Sequence, residues 1–451
     1  MPVVPKNRFT GRRVARWSPV SPTATSPCLH CSRTCVAAGT SAPPPGRSED
    51  CSRPRLPPFA LPRPGRRSQA GPMSAPGPHE GLFTFDTHID TPTASLMREG
   101  WDFGARHDRA TDRSQCDLPR MAEGGIDALG FAVFVAQAAR TPAGYALAHE
   151  KALQVFGRIH AVVAQYADRC GLALRAADGP RLKAEGKRAF YLAIENSYPL
   201  GLDAGNVAKL HALGVRMLGL NHMIHNDVAD SSTDPRPPEW GGLSPFGREV
   251  VAECNRLGIA LDASHASDDA LWDLLEFSAT PPLLTHTGCR AVCDHPRNIG
   301  DELLRALAAK GGVIQINALP IAVKNAPGNR QTEEGAALLL KLKDRVLTPE
   351  VRTQIAGEWT RIEREHPAPL CTLDDYIAHV EHAVAVAGID HVGVGCDFDG
   401  GGGVEGLGQV GDYPNLTQAL RARGWSEENL AKLWGRNTLR VLRACEAHAV
   451  T

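Results

Sequence analysis

A histidine and an aspartate stand two positions apart at the end of an apolar segment. The stretch FDTHIDTP (85–92) carries His88 and Asp90 shortly before Pro92. In an extended strand, residues i and i+2 project from the same face, so the two side chains are expected to point the same way. An imidazole beside a carboxylate is half of a site for a divalent metal. On this motif alone, a capped strand with a hydrogen-bonded histidine is the better interpretation.

Side chains of the same kinds follow several further apolar runs. These runs are RAFYLAIEN, GVRMLGLNH, GIALDASHA, PLLTHTG and HVGVGCDFDG. The polar residues at or near their carboxyl ends are Glu195, His222, His265, His286 and Asp397. With His88 and Asp90 they make seven metal-binding or titratable side chains at the same end of six predicted strands. Such a set is a strong signal of a functional site.

The set is suited to a pair of divalent metals. Two such ions about 3.5–4 Å apart can hold a water between them and lower its pKa towards neutrality. Glu195 is the natural bridging ligand, because its neighbours in LAIEN are apolar and a buried, unpaired glutamate is costly. His88 and Asp90 would complete one metal site, and His265 and His286 the other.

Three further residues have roles that the sequence leaves open. His222 fits a hydrogen-bonded core residue as well as a group that contacts substrate. Asp397 suits a general base or proton shuttle, whereas Asp399 is expected to cap or orient the glycine run 400–403. Arg297 follows the sixth strand by a short loop, and its planar guanidinium suits a substrate carboxylate, although a solvated surface arginine is the default interpretation.

The elements that carry these residues alternate between strand and helix. Apolar runs typical of strands occupy 82–90, 126–136, 188–196, 214–222, 258–266, 282–288, 312–320 and 391–400. Segments such as GREVVAECNRL and DELLRALAAK, with apolar spacing near 3.6, lie between them. Eight alternations predict an α/β protein with a (β/α)8 TIM barrel, whose sites form at the carboxyl ends of the strands, and the metal-binding side chains there favour the metal-dependent hydrolase type. An open doubly wound sheet is the alternative, but no glycine-rich phosphate loop follows the first strand. The gap 321–390 is expected to hold extra helices.

The chain divides by composition into an arm and a body. Overall, 43% of the 451 residues are hydrophobic and 22% are charged, which is ordinary for a globular protein. Residues 1–75 are rich in proline, serine and arginine and are predicted to be a disordered arm, while residues 76–451 form the barrel. Residues 1–72 carry about +10 charges and the remainder about -11, so neither nucleic acid nor an anionic membrane is an expected partner. Met73 precedes the periodic sequence, and we expect native translation to begin there.

The chain has no sequence feature of a membrane or secreted protein. It contains no apolar run of 18 residues, no secretory apolar region and no hydrophobic tail for a lipid anchor. The cysteines of the body are scattered singly without a disulfide framework, and CLHCSRTC in the arm is too loosely spaced for a zinc site. A cytoplasmic location is therefore expected.

Several motifs, taken together and in order, resemble one family. They are FDTHIDTP, LAIEN, GVRMLGLNH, DVADSSTD, GGLSPFGREVVAECNRLGIALDASHAS, LLTHTGCRAVCDHPRN and GIDHVGVGCDFDGGG. From about Phe83 to Arg443 the chain resembles the membrane dipeptidase (renal dipeptidase) family of zinc peptidases. The resemblance implies zinc-dependent hydrolysis of dipeptides by a metal-bridging hydroxide, with tolerance of a D-residue at the second position. It also implies a homodimer.

The resemblance also implies roles for individual residues. Two zinc ions would be held by His88, Asp90, Glu195, His265 and His286. His222 would polarise the scissile carbonyl, Arg297 would bind the carboxylate of the dipeptide, and Asp397 would transfer the proton. One departure concerns strand seven, where animal members carry a V-N-F-Y pattern whose tyrosine helps to bind the carboxylate. Here the run is Ile316-Asn317-Ala318-Leu319, so that contact is expected to be lost.

Two alternative functions follow from the same barrel. The first is another binuclear metal-dependent amidohydrolase or a lactonase, many of which bridge their metals with a modified lysine on strand four. Mononuclear deaminases favour His-x-His on strand one, where this chain has His-x-Asp. The second is a catalytically silent barrel that binds a ligand, which predicts gaps in the ligand set. The number of metal ions bound per chain would distinguish an enzyme from a silent barrel, because a silent barrel has no need to keep two ions.

Overall fold

The computed structural model describes residues 79–341, 345 and 348–450. The predictions for the arm at residues 1–75 and for Met73 lie outside this range. Within it, the barrel prediction is confirmed, and the bounds of its elements explain how the candidate residues are placed.

Nine strands form one sheet in the described part of the chain, and every pairing between them is parallel. The strands are β1 Phe85–Ile89, β2 Ala128–Phe134, β3 Cys170–Leu172, β4 Arg188–Glu195, β5 Val215–Gly219, β6 Ala260–Asp262, β7 Leu283–Thr287, β8 Val313–Ile316 and β9 Val392–Val394. β1 pairs with both β2 and β9, and β2 pairs with β4, which closes eight strands into a barrel. β3 lies outside the ring, against the start of β4.

Helices connect the strands and cover the barrel. They are α1 Thr91–Ala94, α2 Arg109–Asp112, α3 Leu118–Glu123, α4 Pro142–Gln165, α5 Asp178–Ala184, α6 Asn206–Ala212, α7 Pro245–Leu257, α8 Asp268–Phe277, α9 Asp301–Ala309, α10 Pro320–Val323, α11 Gln331–Leu340, α12 Pro349–Glu365, α13 Leu373–Ala387, α14 Tyr413–Ala422, α15 Glu427–Ala431 and α16 Asn437–His448. Short 3₁₀ turns span Tyr198–Leu200, Ile389–His391 and Val410–Asp412, and a π-helical turn spans Lys432–Arg436. The predicted extra helices between residues 321 and 390 are confirmed as α11, α12 and α13, with α10 just before them.

Local sequence explains where the helices begin and end. The Ser244 side chain accepts a hydrogen bond from the Gly247 N–H at the start of α7, and Pro245 occupies the first turn, where its missing N–H is not needed. α7 ends at Gly258, whose φ of 73° is left-handed and favours glycine. Among the described residues, no helix is both long enough and apolar enough to cross a membrane.

The core fixes the strands that carry the candidate residues. β1, β7 and β8 are buried along their whole length, and all but the first residue of β4 is buried. Between the sheet and its covering segments, the rings of Phe131 and Phe190 stack with centroids 4.1 Å apart. Because these strands are packed on both faces, their carboxyl ends are held in place on a rigid scaffold.

Candidate metal centre

All seven candidate side chains lie together at the carboxyl ends of the barrel strands. Glu195 is the last residue of β4, and His88 and His286 are the next-to-last residues of β1 and β7. The other candidates lie in the loops just beyond the strands and are Asp90, His222, His265 and Asp397. Each loop residue stands within three positions of a strand end, which is where this fold builds its sites.

The prediction that His88 and Asp90 share one face of an extended strand was wrong in its geometry. Asp90 has φ -91° and ψ 7°, so the chain has already left the extended conformation and begins α1. The turn nevertheless keeps the two side chains together, with His88 Nε2 3.4 Å from Asp90 Oδ2. In this half of the predicted site, His88 therefore lies on β1 and Asp90 at the start of α1.

The carboxylate of Glu195 faces a different set of nitrogen atoms with each oxygen. Its Oε2 lies 3.6 Å from His88 Nε2. Its Oε1 lies 3.0 Å from His265 Nε2 and 3.5 Å from His286 Nε2. Only 6% of the glutamate side chain is exposed, so both sets of contacts lie away from bulk water. A single carboxylate between two donor sets is the arrangement that a bridging ligand requires.

Burial and charge set the protonation of this cluster. Burial raises the pKa of a carboxyl group, but His88, His265 and His286 around Glu195 bring its pKa well below the usual range. Burial would lower the pKa of His88, but Glu195 and Asp90 raise it well above the usual value. These opposed shifts favour a proton held between His88 and Glu195, which a bound metal would displace.

The remaining histidines are kept neutral. Burial lowers the pKa of His265 and of His286 well below the usual value, and nearby cationic groups add to this effect. The two Nε2 atoms are 2.9 Å apart. Burial also lowers the pKa of His222 to about 4. Neutral imidazoles are the form that ligates metals, and the Nε2 atoms of these three histidines converge here on Glu195.

Two groups of donor atoms have the composition and spacing of metal sites. His88, Asp90 and Glu195 form one group, and Glu195, His265 and His286 form the other, with the donor atoms of each group within 4.8 Å of one another. His88 Nε2 and Asp90 Oδ1 are buried without a hydrogen-bond partner. Because unpaired buried polar atoms are costly, these atoms fit a bound cation. The described residues therefore fit the predicted centre, with Glu195 shared by both groups.

Protons should compete with metal for this centre. Burial, with Glu195 nearby, raises the pKa of Asp90 to about 6, and the pKa of His88 is raised as well. Below these values the ligands are protonated, so metal must displace protons to bind. We expect the apparent metal affinity to rise through about pH 6, where Asp90 ionises, and to continue rising at higher pH as His88 loses its proton. Competition with a chromogenic chelator at successive pH values measures it, and a flat profile would contradict this assignment.

Asp397 lies beside the cluster in a backbone conformation that is unusual for an aspartate. Its φ is 61° and that of Asp399 is 65°, both in the left-handed region. Asp397 Oδ1 is 4.0 Å from His88 Nε2. Burial, together with Asp90 and Glu195, raises the pKa of Asp397 well above its usual range. A carboxyl group with a raised pKa is suited to exchanging protons near neutrality.

Asp399 contributes to the loop rather than to the cluster. Its carboxylate accepts hydrogen bonds from the Gln115 N–H at 2.7 Å and from the Thr91 hydroxyl at 2.6 Å. The expected contact between its carboxylate and the glycine run 400–403 is replaced by these bonds. Gln115 makes that connection instead, because its side-chain amide donates to the Gly402 carbonyl. Asp399 and Gln115 together hold the loop that presents Asp397.

Arg297 is buried rather than solvated, with 5% of its surface exposed. Its guanidinium donates hydrogen bonds to the carbonyl oxygens of Ser264 and His286, and Nη2 lies 3.4 Å from His265 Nε2. Burial lowers the pKa of this arginine, and Asp397 and Glu195 oppose that effect. The side chain reaches into the mouth of the barrel and places a positive charge beside the histidines.

His222 is the most exposed of the seven side chains, at 21%. Its Nε2 is 3.5 Å from Glu195 Oε1, and its ring packs against those of Phe134 and His265. A polar cleft of about 410 Å³ adjoins the same region and is lined by Ser231, Ser232, Ser267, Asp268, Arg290, Asp294, His295 and Pro296. Ser231 donates a hydrogen bond to the His222 carbonyl, so the cleft borders the loop that carries this histidine.

Supporting residues were not predicted from the sequence. Asp86, two residues before His88, accepts hydrogen bonds from the N–H groups of His88 and Cys396 and from the Tyr413 hydroxyl. Its carboxylate therefore ties β1 to the segment after β9 beneath the cluster. Asp262 and Thr285 form a second buried support on β6 and β7. The sequence signal that could have identified this support is an acidic residue within a short apolar strand, as at Asp86 and Asp262.

Comparison with known proteins gives consistent matches. The family model described as membrane dipeptidase (Peptidase family M19) matches residues 79–451. Dipeptidase tcpJ of Claviceps purpurea is 31% identical over 339 residues, which cover 73% of this chain and 69% of the relative. The crystal structure of the probable dipeptidase PvdM from Pseudomonas aeruginosa has a TM-score of 0.70 at 29% identity, covering 82% of this chain and 97% of that chain. A metallo peptidase from Rhodobacter sphaeroides, liganded with a phosphinate mimic of the dipeptide L-Ala-D-Ala, has a TM-score of 0.64 at 24% identity and covers 81% and 99% of the two chains.

Proposed function

Because the chain belongs to the membrane dipeptidase family and is a metallo-dipeptidase, we propose that it hydrolyses L-L and L-D dipeptides with two zinc ions. The observation that carries the proposal is the placement of Glu195, whose two oxygens face two separate donor sets. Each set contains neutral or carboxylate-paired histidines of the kind that bind zinc. The inclusion of L-D dipeptides is supported by the mimic of L-Ala-D-Ala bound to the Rhodobacter enzyme.

The proposed ligands divide into two groups that share one residue. His88 and Asp90 would hold one ion, His265 and His286 the other, and Glu195 would bind both. When bound, such a metal pair supplies an activated water and a Lewis acid for the scissile carbonyl. The lowered pKa values of His265, His286 and Glu195 favour the forms that bind metal, whereas His88 must first lose its proton.

Three residues would act on the dipeptide itself. His222, at the exposed edge of the cluster, would donate a hydrogen bond to the carbonyl oxygen as negative charge develops there. Arg297 would pair with the C-terminal carboxylate, since its buried guanidinium provides a positive charge next to the cluster. Asp397 would accept a proton from the attacking water and deliver it to the leaving amine.

Leu319 is the difference from the animal family members that bears on substrate specificity. It stands just beyond β8 in place of the tyrosine of animal relatives and is half-buried. A leucine side chain cannot donate a hydrogen bond, so Arg297 would hold the carboxylate of the dipeptide without that assistance. The polar cleft beside His222 would then receive one substrate side chain. We expect a preference that differs from that of the animal enzymes.

The direct test is release of free amino acids from a panel of L-L and L-D dipeptides by the full chain loaded with zinc. Cleavage of dipeptides that a chelator abolishes, with matched tripeptides spared, is the expected result. Two bound zinc ions without cleavage of any dipeptide would contradict the proposed substrate class. In that case the alternatives are lactones, amides and acylated amino acids.

The remaining proposals concern partners and location. We propose a homodimer on the basis of family resemblance, and light scattering of the purified protein would measure its mass in solution. The eight cysteines in the described part of the chain are free thiols, and all are buried. Free thiols are typical of a reducing compartment, which supports a cytoplasmic location as a proposal. Retention of activity in the membrane-free fraction of a cell lysate, but not in the medium, is the expected result.

A further inference from the structure

We propose that the Thr285 hydroxyl, held by Asp262, is a positioning group for His88 and His286. It would fix the protonated nitrogen of both imidazoles, so that both present a lone pair at Nε2. The inference rests on the proposed function, in which these two histidines bind different metal ions. One hydroxyl on β7 would thereby align one ligand in each half of the centre.

The geometry places Thr285 among four polar side chains. Its Oγ1 lies 2.6 Å from Asp262 Oδ2, 3.0 Å from His286 Nδ1, 3.4 Å from His88 Nδ1 and 3.3 Å from Ser264 Oγ. All five residues are at least nine-tenths buried, so water does not compete for these contacts. The rings of His88 and His286 stack with centroids 3.6 Å apart and an interplanar angle of 28°. Stacking aligns their Nδ1 atoms towards Thr285 and their Nε2 atoms towards Glu195.

The direction of the hydrogen bonds follows from the partners of Asp262. Its Oδ1 accepts from the N–H groups of Ser264 and Thr285, each at 3.0 Å, and from the Ser264 hydroxyl. Backbone N–H groups can only donate, so the aspartate acts as an acceptor. The single hydrogen of the Thr285 hydroxyl then points to Asp262 Oδ2, and the lone pairs of Oγ1 face the two histidines.

Those lone pairs select one tautomer of each imidazole. An Nδ1 atom that faces an acceptor must carry hydrogen, so an imidazole that gives up a proton to bind metal loses it from Nε2 and presents its lone pair there. The Nε2 atoms of His88 and His286 lie 3.6 and 3.5 Å from the two oxygens of Glu195. Outer hydrogen bonds of this kind orient metal ligands, and their loss typically costs 10–100-fold in metal affinity.

A different interpretation is that Asp262 is itself a ligand. Donor atoms of His88, Asp262 and His286 lie within 4.8 Å of one another and could hold an ion. The Thr285 hydroxyl, however, already lies at hydrogen-bond distance from a donor atom of each residue. A third ion there would have to displace these contacts. The two interpretations differ in the number of ions bound per chain.

Two substitutions test the positioning role in the full-length protein. Thr285→Val removes the hydroxyl, and Asp262→Asn keeps the shape but lets the amide donate to Thr285, which reverses the direction of the hydrogen bonds. We expect each to lower the zinc affinity by about 10–100-fold. Thr285→Ser restores a hydroxyl and should bind zinc as the wild type does. Thr287→Val is the matched control, because its buried hydroxyl on the same strand bonds the Ser264 carbonyl instead of a histidine.

The readouts are zinc affinity by chelator competition and the number of ions per chain by elemental analysis. Unchanged affinity in Asp262→Asn and in Thr285→Val would overturn the positioning role while leaving the proposed function intact. A wild type with three zinc ions would also overturn it, in favour of Asp262 as a ligand. A wild type that binds no zinc would overturn the proposed function itself. Asp262→Asn keeps the test decisive if the valine variant does not fold.

Discussion

Replacing Asp397 by asparagine should leave the two proposed zinc ions bound and lower kcat by about 10²–10⁴-fold, the usual contribution of a general acid or base. Asparagine tolerates the left-handed φ of 61° at this position, so the loop is expected to keep its shape. The amide cannot accept and return a proton as the carboxylate does. Turnover of a good dipeptide and the zinc content of the same preparation should be measured together.

A control for this variant is Asp203→Asn, which removes an exposed carboxylate on the loop that follows β4, where an asparagine can still accept the hydrogen bond from the Gly205 N–H. It should change kcat little, because loss of a negative charge alone is not the proposed cause. An Asp397→Asn enzyme with a near wild-type rate would contradict the base assignment. Loss of zinc from that variant would instead make Asp397 a metal ligand.

Replacing Glu195 by alanine should abolish binding at both metal sites together. The shared carboxylate contacts His88 with one oxygen and His265 and His286 with the other. Without it, neither group retains three protein ligands, which is the usual minimum for a catalytic zinc site. We expect zinc content to fall from two ions per chain towards none, and activity to fall to that of the chelated wild type.

Thermal unfolding with and without zinc separates this effect from a general loss of folding. A ligand that binds only the folded state raises the midpoint of unfolding, so zinc should stabilise the wild type but not Glu195→Ala. Glu185→Gln, which alters an exposed glutamate before the start of β4, should respond to zinc as the wild type does. An alanine variant that retains one ion per chain would show that Glu195 serves a single site rather than bridging two.

The sequence was sufficient to predict the barrel and the side chains that the structure brings together. Each predicted apolar run contains one barrel strand, because strands buried on both faces read as continuous hydrophobic segments. β3 was missed because two of its three residues, Cys170–Leu172, are only half-buried, so it lacks the continuous apolar run of a strand that is buried on both faces. Its role is also peripheral, as it pairs only with the start of β4 outside the ring.

The sequence could not predict how the site is supported. Asp262 and Thr285 lie 23 positions apart on neighbouring strands, and only the closed barrel brings their side chains within 2.6 Å. Arg297 was expected by default to be solvated, because spacing alone does not reveal the carbonyls of Ser264 and His286 that draw it inwards. Periodicity identifies which face of a strand a residue occupies, whereas these contacts depend on how neighbouring strands are aligned in the closed barrel.

The glycine run 400–403 after β9 resembles a flexible linker in sequence, but in the structure it is tightly packed, which limits directed evolution of the enzyme at these positions. A β-carbon at Gly400 would collide with carboxylate oxygens of Asp90 and Asp397, and one at Gly402 would collide with the backbone carbonyl of Cys396. Glycine is needed here because it leaves room for neighbouring atoms, rather than because it makes the chain flexible. Libraries randomised at these positions are therefore expected to yield mostly inactive clones. The residues around Asp294 on the rim of the polar cleft offer a more permissive target for changing substrate range.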